Sequence, residues 1–170
     1  MKNKKVLFLT QAAMIAAIYV VLTFIANAFG LANYAVQVRF SEALTILPYF
    51  TPAAIPGLFV GCLLSNILTG CALPDIVFGS IATLLGALGT YALRKWKWFA
   101  PVCPIISNMI IVPLVLIYGY GFMIEGLSVL QCLGYYCLTV GAGEVISCGI
   151  LGMILLFTLQ KYSNKIFATD

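Results

Sequence analysis

The sequence predicts an all-α integral membrane protein, folded as one domain of six transmembrane helices. Two observations predict this class. Of its 170 residues, 63% are hydrophobic and 8% are charged, whereas soluble domains have about 25% charged residues. The apolar residues are also grouped in long stretches, and a helix that crosses a membrane needs about 20 of them. Such a chain has more apolar surface than one core can bury, so the rest is expected to face lipid.

Six stretches are predicted to cross the membrane. The first, 6–29, has no charged residue and is the clearest span. The second, 34–49, is shorter and contains Arg39 and Glu42, so a hydropathy window alone would miss it. The remaining four spans are predicted at 52–70, 75–93, 99–118 and 127–159.

Sequence signals mark several of these boundaries. Pro52 and Pro74 stand at the starts of the third and fourth spans, and proline is favoured in the first turn of a helix. The fourth span ends at Arg94-Lys95-Trp96-Lys97-Trp98, where basic and aromatic residues coincide as they do at a membrane interface.

The last two spans are expected to be irregular. Pro101, Pro104 and Pro113 are expected to bend the fifth, which a membrane helix tolerates when neighbouring groups satisfy the freed backbone. The sixth is too long for one upright span, so we expect a bend or tilt near Gly134 or at Gly141-Ala142-Gly143.

Basic residues predict the orientation of the bundle. They cluster at the N-terminus, at 94–97, and at Lys161 and Lys165. With six spans, all three clusters lie on one side, which the positive-inside rule assigns to the cytoplasm. We therefore predict a multi-pass protein of the cell membrane with both termini cytoplasmic. Because the basic residues form no single face, the net charge of +4 does not indicate a nucleic-acid partner.

The residue types that most enzymes and metal sites need are scarce in this sequence. It has no histidine, and its six cysteines form no C-x-x-C pair, so we expect no metal site. No nucleophile and base pair is recognisable. We expect no catalytic residue, no bound cofactor and no enzymatic activity.

Ionisable residues at membrane depth are costly, so each one is a candidate for function. Arg39 is the sole base within the apolar spans. Counting about 1.5 Å per residue from Lys161 places Glu144 roughly 25 Å from the inner end, in or near the outer half of the bilayer. Four acids precede the C-terminal residue: Glu42, Asp75, Glu125 and Glu144. Glu125 is expected to be solvated on an outer loop.

Each of the other polar candidates also has a purely structural interpretation. Arg39 and Glu42 are spaced i, i+3 and would pair with each other on one helix face. Asp75 would serve as the N-cap of the fourth helix. Asn66 and Asn108 would form interhelical hydrogen bonds, which amides at membrane depth need. Alternatively, these side chains contact a ligand.

Together these positions predict a polar pocket that opens to the outside, bounded by the second, third, fourth and last helices. Carboxylates and amides suit a flat ligand rich in N–H donors. Aromatic residues predicted near the same face would stack on such a ligand or belong to the interfacial belt: Tyr34, Phe40, Tyr118, Tyr120 and Tyr135.

Small residues recur at helical spacing in three of the predicted helices, where they allow backbones to approach closely. Gly57-x-x-x-Gly61 and Ala82-x-x-x-Gly86 are expected to pack inside the bundle. The first helix has two adjacent registers, which either pack internally or dock a separate subunit: Ala12, Ala13, Ala16 and Ala17.

Two segments resemble a known family. Residues 35–44, AVQVRFSEAL, and 47–58, LPYFTPAAIPGL, closely resemble the QueT family. The similarity extends over nearly the whole chain, including Asn66, and the stretch from Arg39 to Glu42 is its most specific part. Members of this family are substrate-binding S components of energy-coupling factor (ECF) transporters, assigned to the uptake of queuosine precursors.

The resemblance implies a mechanism and a set of partners. An S component captures its substrate outside and topples within the membrane to release it inside. Energy would come from two partner ATPase subunits through a transmembrane scaffold subunit, because this chain has no G-x-x-x-x-G-K-[ST] phosphate loop. In such S components the small-residue face of the first helix docks the scaffold, which the alanine stripe matches.

The implied ligands are 7-deazaguanines such as preQ1, preQ0 or queuine. Their guanine-like edge offers two adjacent N–H donors that one carboxylate, Glu144 or Glu42, would accept. An amide, Arg39 or a backbone N–H would complete recognition, and a second carboxylate would neutralise the aminomethyl cation of preQ1. The predicted substrate-binding residues are Glu144, Glu42, Asn66, Arg39, Asp75, Asn108 and Tyr34.

Overall fold

The computed structural model describes residues 4–30 and 38–166, and every regular element in those ranges is helical. Four helices are long and apolar enough to cross a membrane, namely Lys4–Ala28, Leu73–Ala92, Lys97–Gly119 and Val129–Gln160. A fifth apolar helix, Ala54–Leu68, is shorter. The predicted all-helical membrane protein is therefore confirmed at this level.

The helices are named in chain order. Helix α1 is Lys4–Ala28, and a 3-10 helix follows at Phe40–Tyr49. Helices α2 and α3 are Ala54–Leu68 and Leu73–Ala92. A 3-10 turn at Lys97–Phe99 leads into α4, Val102–Leu114, which continues as a π-helical turn, Val115–Gly119. The last long helix comprises α5, Val129–Glu144, a π-helical stretch, Val145–Leu151, and α6, Gly152–Gln160. The short α7 is Ser163–Ile166.

The second predicted span is not the α-helix that the sequence suggests. Residues 34–37 lie outside the described ranges, and the described part forms a 3-10 helix that is buried from Ser41 to Pro48. Proline disfavours the α form because the ring of Pro48 would clash with the carbonyl group four residues earlier. A 3-10 helix rises about 2.0 Å per residue, against about 1.5 Å for an α-helix. The ten residues therefore reach further through the bundle than an α-helix of equal length.

The basic clusters lie at one end of the bundle, called here the basic end. Near the start of α1, Gln11 Oε1 accepts a hydrogen bond of 3.0 Å from Thr51 Oγ1, just before α2. At the same end, the rings of Trp98 and Phe157 are 5.6 Å apart, which joins the start of the Lys97–Gly119 helix to the end of α6. The hydrophobic core lies between α1, the 3-10 helix, α2 and α6, around side chains such as Ile46, Leu58 and Leu156.

Helices α1 and α2 are in contact along their small residues. A methyl group added at Gly57 would lie 2.7 Å from the Ala12 carbonyl oxygen, and one at Gly61 would lie 3.1 Å from Ala16 Cα. The internal packing predicted for Gly57 and Gly61 is therefore confirmed. Part of the predicted docking stripe is corrected, because Ala12 and Ala16 are buried against α2 and offer no surface to a separate subunit. Ala13 and Ala17, on the adjacent register, are exposed.

Packing between α3 and α4 also depends on a glycine. A methyl group at Gly86 would lie 2.7 Å from Pro104 Cα, and Ala82, one turn earlier, is fully buried. The interpretation of this pair as an internal packing face is confirmed. Backbone contact at this position holds α4 close to α3, and both helices contribute side chains to the site described below.

Both predicted irregularities coincide with departures from α-helical bonding. The π-helical turn Val115–Gly119 directly follows Pro113. Because proline cannot bond to the carbonyl four residues earlier, the Met109 carbonyl is free, and it accepts a hydrogen bond of 3.3 Å from Cys137 Sγ on α5. In the last helix the π-helical stretch Val145–Leu151 directly follows 141–143.

Candidate functional site

A polar cavity of about 480 Å³ lies at the end of the bundle opposite the basic end. We call it the outer cavity. Its volume is within the range of small-molecule sites, about 300–1,000 Å³. Side chains from α1, α2, α3 and the Lys97–Gly119 helix line it, including Thr23, Asn27, Arg39, Asn66, Thr69, Cys71, Asp75, Val112, Leu116, Tyr120 and Phe122. The prediction omitted the first and fifth helices from the outer part of this pocket.

Arg39 and Asp75 form the charged wall of the outer cavity. Arg39 Nη2 lies 4.0 Å from Asp75 Oδ2, and both side chains are largely buried. The backbone N–H of Arg39 donates to Ser147 Oγ at 3.2 Å, within the π-helical stretch that follows Glu144. Through this hydrogen bond, the π-helical stretch of the last helix holds the residue at which the 3-10 helix begins. The predicted pairing of Arg39 with Glu42 is wrong, because the guanidinium reaches across to α3.

Asp75 is held by partners from two other elements. The Tyr120 hydroxyl donates to Asp75 Oδ2 at 3.4 Å and accepts from the backbone N–H of Ala72 at 3.1 Å. The predicted N-cap role is corrected, since Ala72 is the N-cap of α3 and Asp75 lies three residues further on. A carboxylate in the first turn of a helix is still stabilised by the helix dipole.

Asn66 connects α2 to α3 at the wall of the cavity. Its Nδ2 donates to the carbonyl oxygen of Asp75 at 3.3 Å and to Cys62 Sγ at 3.6 Å. The structural interpretation of Asn66 is therefore confirmed. The residue also lines the outer cavity, so its position is compatible with ligand contact as well.

A second, smaller compartment lies deeper in the bundle. It has a volume of about 20 Å³ and shares Arg39 and Val112 with the outer cavity. We call it the inner compartment. A water molecule needs about 10–15 Å³, so a flat base fits in the outer cavity and presents only an edge or a substituent here. The other lining residues are Glu42, Gly79, Thr83, Asn108, Val140 and Glu144.

Glu42 is fixed by two side chains from different helices. The hydroxyl of Tyr19, on α1, donates to Oε1, and Nδ2 of Asn108, on α4, donates to Oε2 at 3.5 Å. The 3-10 helix that carries Glu42 is tied to α1 by a second bond, from Thr23 Oγ1 to Ser41 Oγ at 2.9 Å. Asn108 thus has the interhelical bond predicted for it, and its acceptor is one of the candidate carboxylates.

Glu144 lies near the middle of the last long helix and faces Glu42 across the inner compartment. Cys148 Sγ donates to Glu144 Oε2 at 3.1 Å and to the backbone carbonyl of Glu42 at 3.4 Å. A side-chain hydrogen bond with Asn108 also joins Glu144 to α4. The Glu144 carboxyl group lines the inner compartment, so it is an acceptor that a ligand edge would meet.

The two compartments carry more acid than base. Three carboxyl groups and a single guanidinium line them in the part of the chain that the structure describes. Arg39 lies beside Asp75, and the hydrogen bonds that Glu42 and Glu144 accept in the described ranges come from neutral donors. A buried carboxylate needs hydrogen bonds or a positive charge to offset the loss of water. The arrangement suits a ligand that supplies N–H donors or a cationic group.

The same region has the spacing of a metal site. Ligand atoms of Glu42, Glu144 and Cys148 all lie within 4.8 Å of one another. Metals bind the thiolate form of cysteine, whereas the Cys148 thiol here donates its hydrogen to Glu144 and to the Glu42 carbonyl. The contacts therefore favour a hydrogen-bonding role for this group.

One of the aromatic residues predicted to stack on a ligand lines the cavity. Tyr120 does so with Phe122, their rings 5.3 Å apart, and Gly121 between them has φ of +70°, a conformation that favours glycine. Burial, reinforced by the charge of Asp75, raises the pKa of Tyr120, so its hydroxyl remains a donor. Tyr118 is 75% exposed and suits the interfacial belt.

The other members of that aromatic set lie elsewhere. Tyr34 falls outside the described residues. Tyr135 is exposed, and Phe40 lines neither compartment. Glu125 is exposed on the connection between α4 and α5, as predicted.

The sequence did not identify two residues that hold the inner compartment together. Tyr19 is almost fully buried in a span that looked uniformly apolar, and Cys148 looked like one more small residue of a helix. A signal for Tyr19 was available, because it lies three residues after Ala16, on the face predicted to pack. No comparable signal marked Cys148.

Comparisons with known proteins agree with this architecture. The QueT transporter family matches residues 9–161 of the chain. A curated relative, the queuosine precursor transporter QueT of Lactococcus lactis subsp. cremoris (strain MG1363), is 31% identical over 98 residues. That alignment covers 57% of this chain and 57% of the relative, so the chain spans little more than half of the relative's length. No solved structure matches the chain.

Proposed function

The chain belongs to the QueT transporter family, and on this basis we propose that it is the substrate-binding subunit of an ECF importer for a queuosine precursor. The observation that carries the proposal is the pair of buried carboxyl groups, Glu42 and Glu144, at the closed end of a polar cavity. Ionisable groups at this depth are costly to retain without a function. The proposed role is transport without chemical change of the substrate.

The ligand chemistry follows from the two compartments. A 7-deazaguanine ring would occupy the outer cavity, with its N1–H and amino group directed toward the carboxyl group of Glu144. Arg39 and Asn66 would meet the ring carbonyl, and Tyr120 would lie against the ring. In preQ1, the aminomethyl cation lies on the opposite side of the ring system from this edge, so it would remain in the outer cavity, where Asp75 is the second carboxylate. Asp75 and Asn108 would hold Arg39 and Glu42 in place.

We further propose that the whole chain is a single membrane domain with six passes. Four passes are the long apolar helices, and α2 with the 3-10 helix would supply the other two. The basic end would then face the cytoplasm under the positive-inside rule, with both termini on that side. The outer cavity would open to the outside of the cell membrane, from which the substrate arrives.

The partners would be a transmembrane scaffold subunit and two ATPase subunits. The chain has no phosphate-binding loop of its own, so toppling and release would depend on their ATP hydrolysis. The exposed register of α1, formed by Ala13 and Ala17, is the surface on which we expect the scaffold to dock. Small residues allow the close helix contact that association within a membrane requires.

Two alternatives predict different behaviour. The same transport role with another vitamin or purine as cargo would leave the architecture unchanged and alter only the ligand ranking. A purely structural subunit would bind no small molecule, and replacing Glu144 or Asn66 would disturb assembly alone.

The test is isothermal titration of the detergent-purified protein with preQ1, preQ0, queuine and guanine, with Glu144→Gln measured in parallel. The loss of a charge-assisted hydrogen bond is expected to weaken binding by about 10- to 100-fold. Glu125→Gln removes an exposed acid and serves as the control. No binding of preQ1, preQ0 or queuine would reject the cargo, and equal affinity in both variants would remove Glu144 from the site.

A further inference from the structure

We propose that the basic end of the bundle has a binding site for the headgroup of an anionic phospholipid. The site is a groove of about 560 Å³ beside the connection between α3 and α4. Its lining residues are Tyr49, Lys95, Trp96, Lys97, Trp98 and Phe99. We call it the basic groove. It lies at the end of the bundle opposite the outer cavity and has no residue in common with it.

In the part of the chain that the structure describes, no carboxyl group pairs with the lysines of the groove. Lys95 is exposed and Lys97 is half-buried. In the described ranges the recorded ion pair is between Arg39 and Asp75, and the acids of those ranges lie in the polar cavity or on the loop at Glu125. An anion that meets two lysines here therefore competes with no carboxylate of the described ranges.

Aromatic rings beside the lysines allow the groove to select a ligand that has an apolar part as well as a negative charge. Trp96 and Trp98 are 64% and 66% exposed, and the rings of Trp96 and Phe99 are 5.7 Å apart. Lys97 Nζ lies 5.6 Å from the ring centroid of Trp98 and 5.3 Å from that of Phe157, so two elements hold the ammonium in place.

The mixture of groups identifies the ligand class. Tryptophan favours the boundary between headgroups and acyl chains, and basic pockets on the cytoplasmic side of membrane proteins bind anionic headgroups. A phospholipid supplies both parts, since its phosphate meets Lys95 and Lys97 while its glycerol and acyl chains cover the indole rings. A free phosphate would leave the indole rings uncovered. A soluble protein could bind the groove only if these rings left the bilayer.

The experiment compares two double variants that each remove two positive charges from the basic end. Lys95→Gln with Lys97→Gln changes the groove, and Lys4→Gln with Lys5→Gln is the matched control at the start of α1, where both lysines are exposed. Each protein is reconstituted in nanodiscs of phosphatidylcholine, with or without phosphatidylglycerol. The thermal unfolding midpoint is measured, and native mass spectrometry counts the lipids retained. Soluble glycerol phosphate is tested separately.

Wild type and the Lys4/Lys5 variant are expected to retain phosphatidylglycerol and to unfold at a higher temperature in its presence. The Lys95/Lys97 variant is expected to lose both effects. Equal losses in the two variants would show a general surface-charge effect and overturn the proposal. It would also be overturned if glycerol phosphate reproduced the stabilisation, or if the groove variant retained as much phosphatidylglycerol as wild type. None of these outcomes depends on the cargo of the polar cavity.

Discussion

The Tyr19 hydroxyl on α1 donates a hydrogen bond to Glu42 Oε1, which joins the helix with the small-residue stripe to the acid of the 3-10 helix. Both side chains are almost completely buried. A buried carboxylate that loses a donor must find another one or become less stable. The orientation of Glu42 in the inner compartment therefore depends on α1.

Tyr19→Phe tests this dependence, because it removes the hydroxyl and keeps the ring. We expect a loss of about 1–3 kcal/mol in the free energy of unfolding and weaker precursor binding by titration, since Glu42 is no longer held. Tyr118→Phe is the control, as Tyr118 is largely exposed. If Tyr19→Phe lowers stability and leaves affinity unchanged, Glu42 does not contact the ligand.

Asp75→Asn is expected to weaken binding and to lower stability. The change keeps the shape of the side chain but removes the negative charge near Arg39, and breaking a largely buried pair, here 4.0 Å apart, costs at most about 3–5 kcal/mol. The released guanidinium would turn toward Glu42 and Glu144 and compete with the ligand. Titration checks this against Glu125→Gln. An unchanged affinity would mean that Arg39 does not reach the carboxylates.

The two registers of α1 are expected to respond differently to added bulk. Ala17→Leu places a larger side chain on an exposed face, so the isolated protein should fold and bind while losing the proposed scaffold and ATPase subunits on co-purification. Ala142→Leu, also exposed but on α5, is the control. Loss of the partners in both variants would argue against docking on α1.

Gly61→Leu tests the buried register of α1, formed by Ala12 and Ala16, by measuring stability and ligand binding. A Cβ there would lie 2.8 Å from Tyr19 Cβ, so the side chain would push α1 away from α2 and move Tyr19 off Glu42. Stability and binding are expected to fall together, with a loss of about 1–3 kcal/mol in the free energy of unfolding for an overpacked helix contact. Normal binding by this variant would show that the α1–α2 contact does not position the site.

Cys137→Ala is expected to destabilise the protein through the backbone of α4. It removes the donor to the Met109 carbonyl that Pro113 leaves free, at a cost of about 0.6–1 kcal/mol. In the background of Pro113→Ala the cost should shrink, because residue 113 regains an N–H for that carbonyl. Cys103→Ala is the control, and additive effects of the two changes would contradict this explanation.

Sequence patterns predicted the elements whose signals are local. The apolar stretches located the long helices, and the glycines at 57, 61 and 86 located helix contacts, because small residues at i, i+4 have few other uses in a span. The 3-10 form of the second span was not predictable, since apolar periods of 3.0 and 3.6 residues cannot be separated over ten residues.

The sequence could not show which polar side chains of the site pair with each other. Local spacing suggested Glu42 for Arg39, yet the guanidinium lies beside Asp75 on another helix. Likewise, nothing near Glu144 in the sequence indicated that it would meet Glu42, which is brought there by the packing of the last helix on the 3-10 helix. A methyl group at Gly152 would lie 3.5 Å from the Ala43 carbonyl oxygen, so that approach also needs a missing side chain.

The close contact of α1 with α2 at Gly57 and Gly61 has a mechanical consequence. Two helices separated by long, flexible side chains can slide past each other. Helices whose backbones are in direct contact cannot shift in this way. A pull on the exposed face of α1 would be passed to α2 and, through Asn66, to the start of α3. Helices α1 and α2 would then move as one rigid unit when a partner binds α1, and one wall of the outer cavity would move with them.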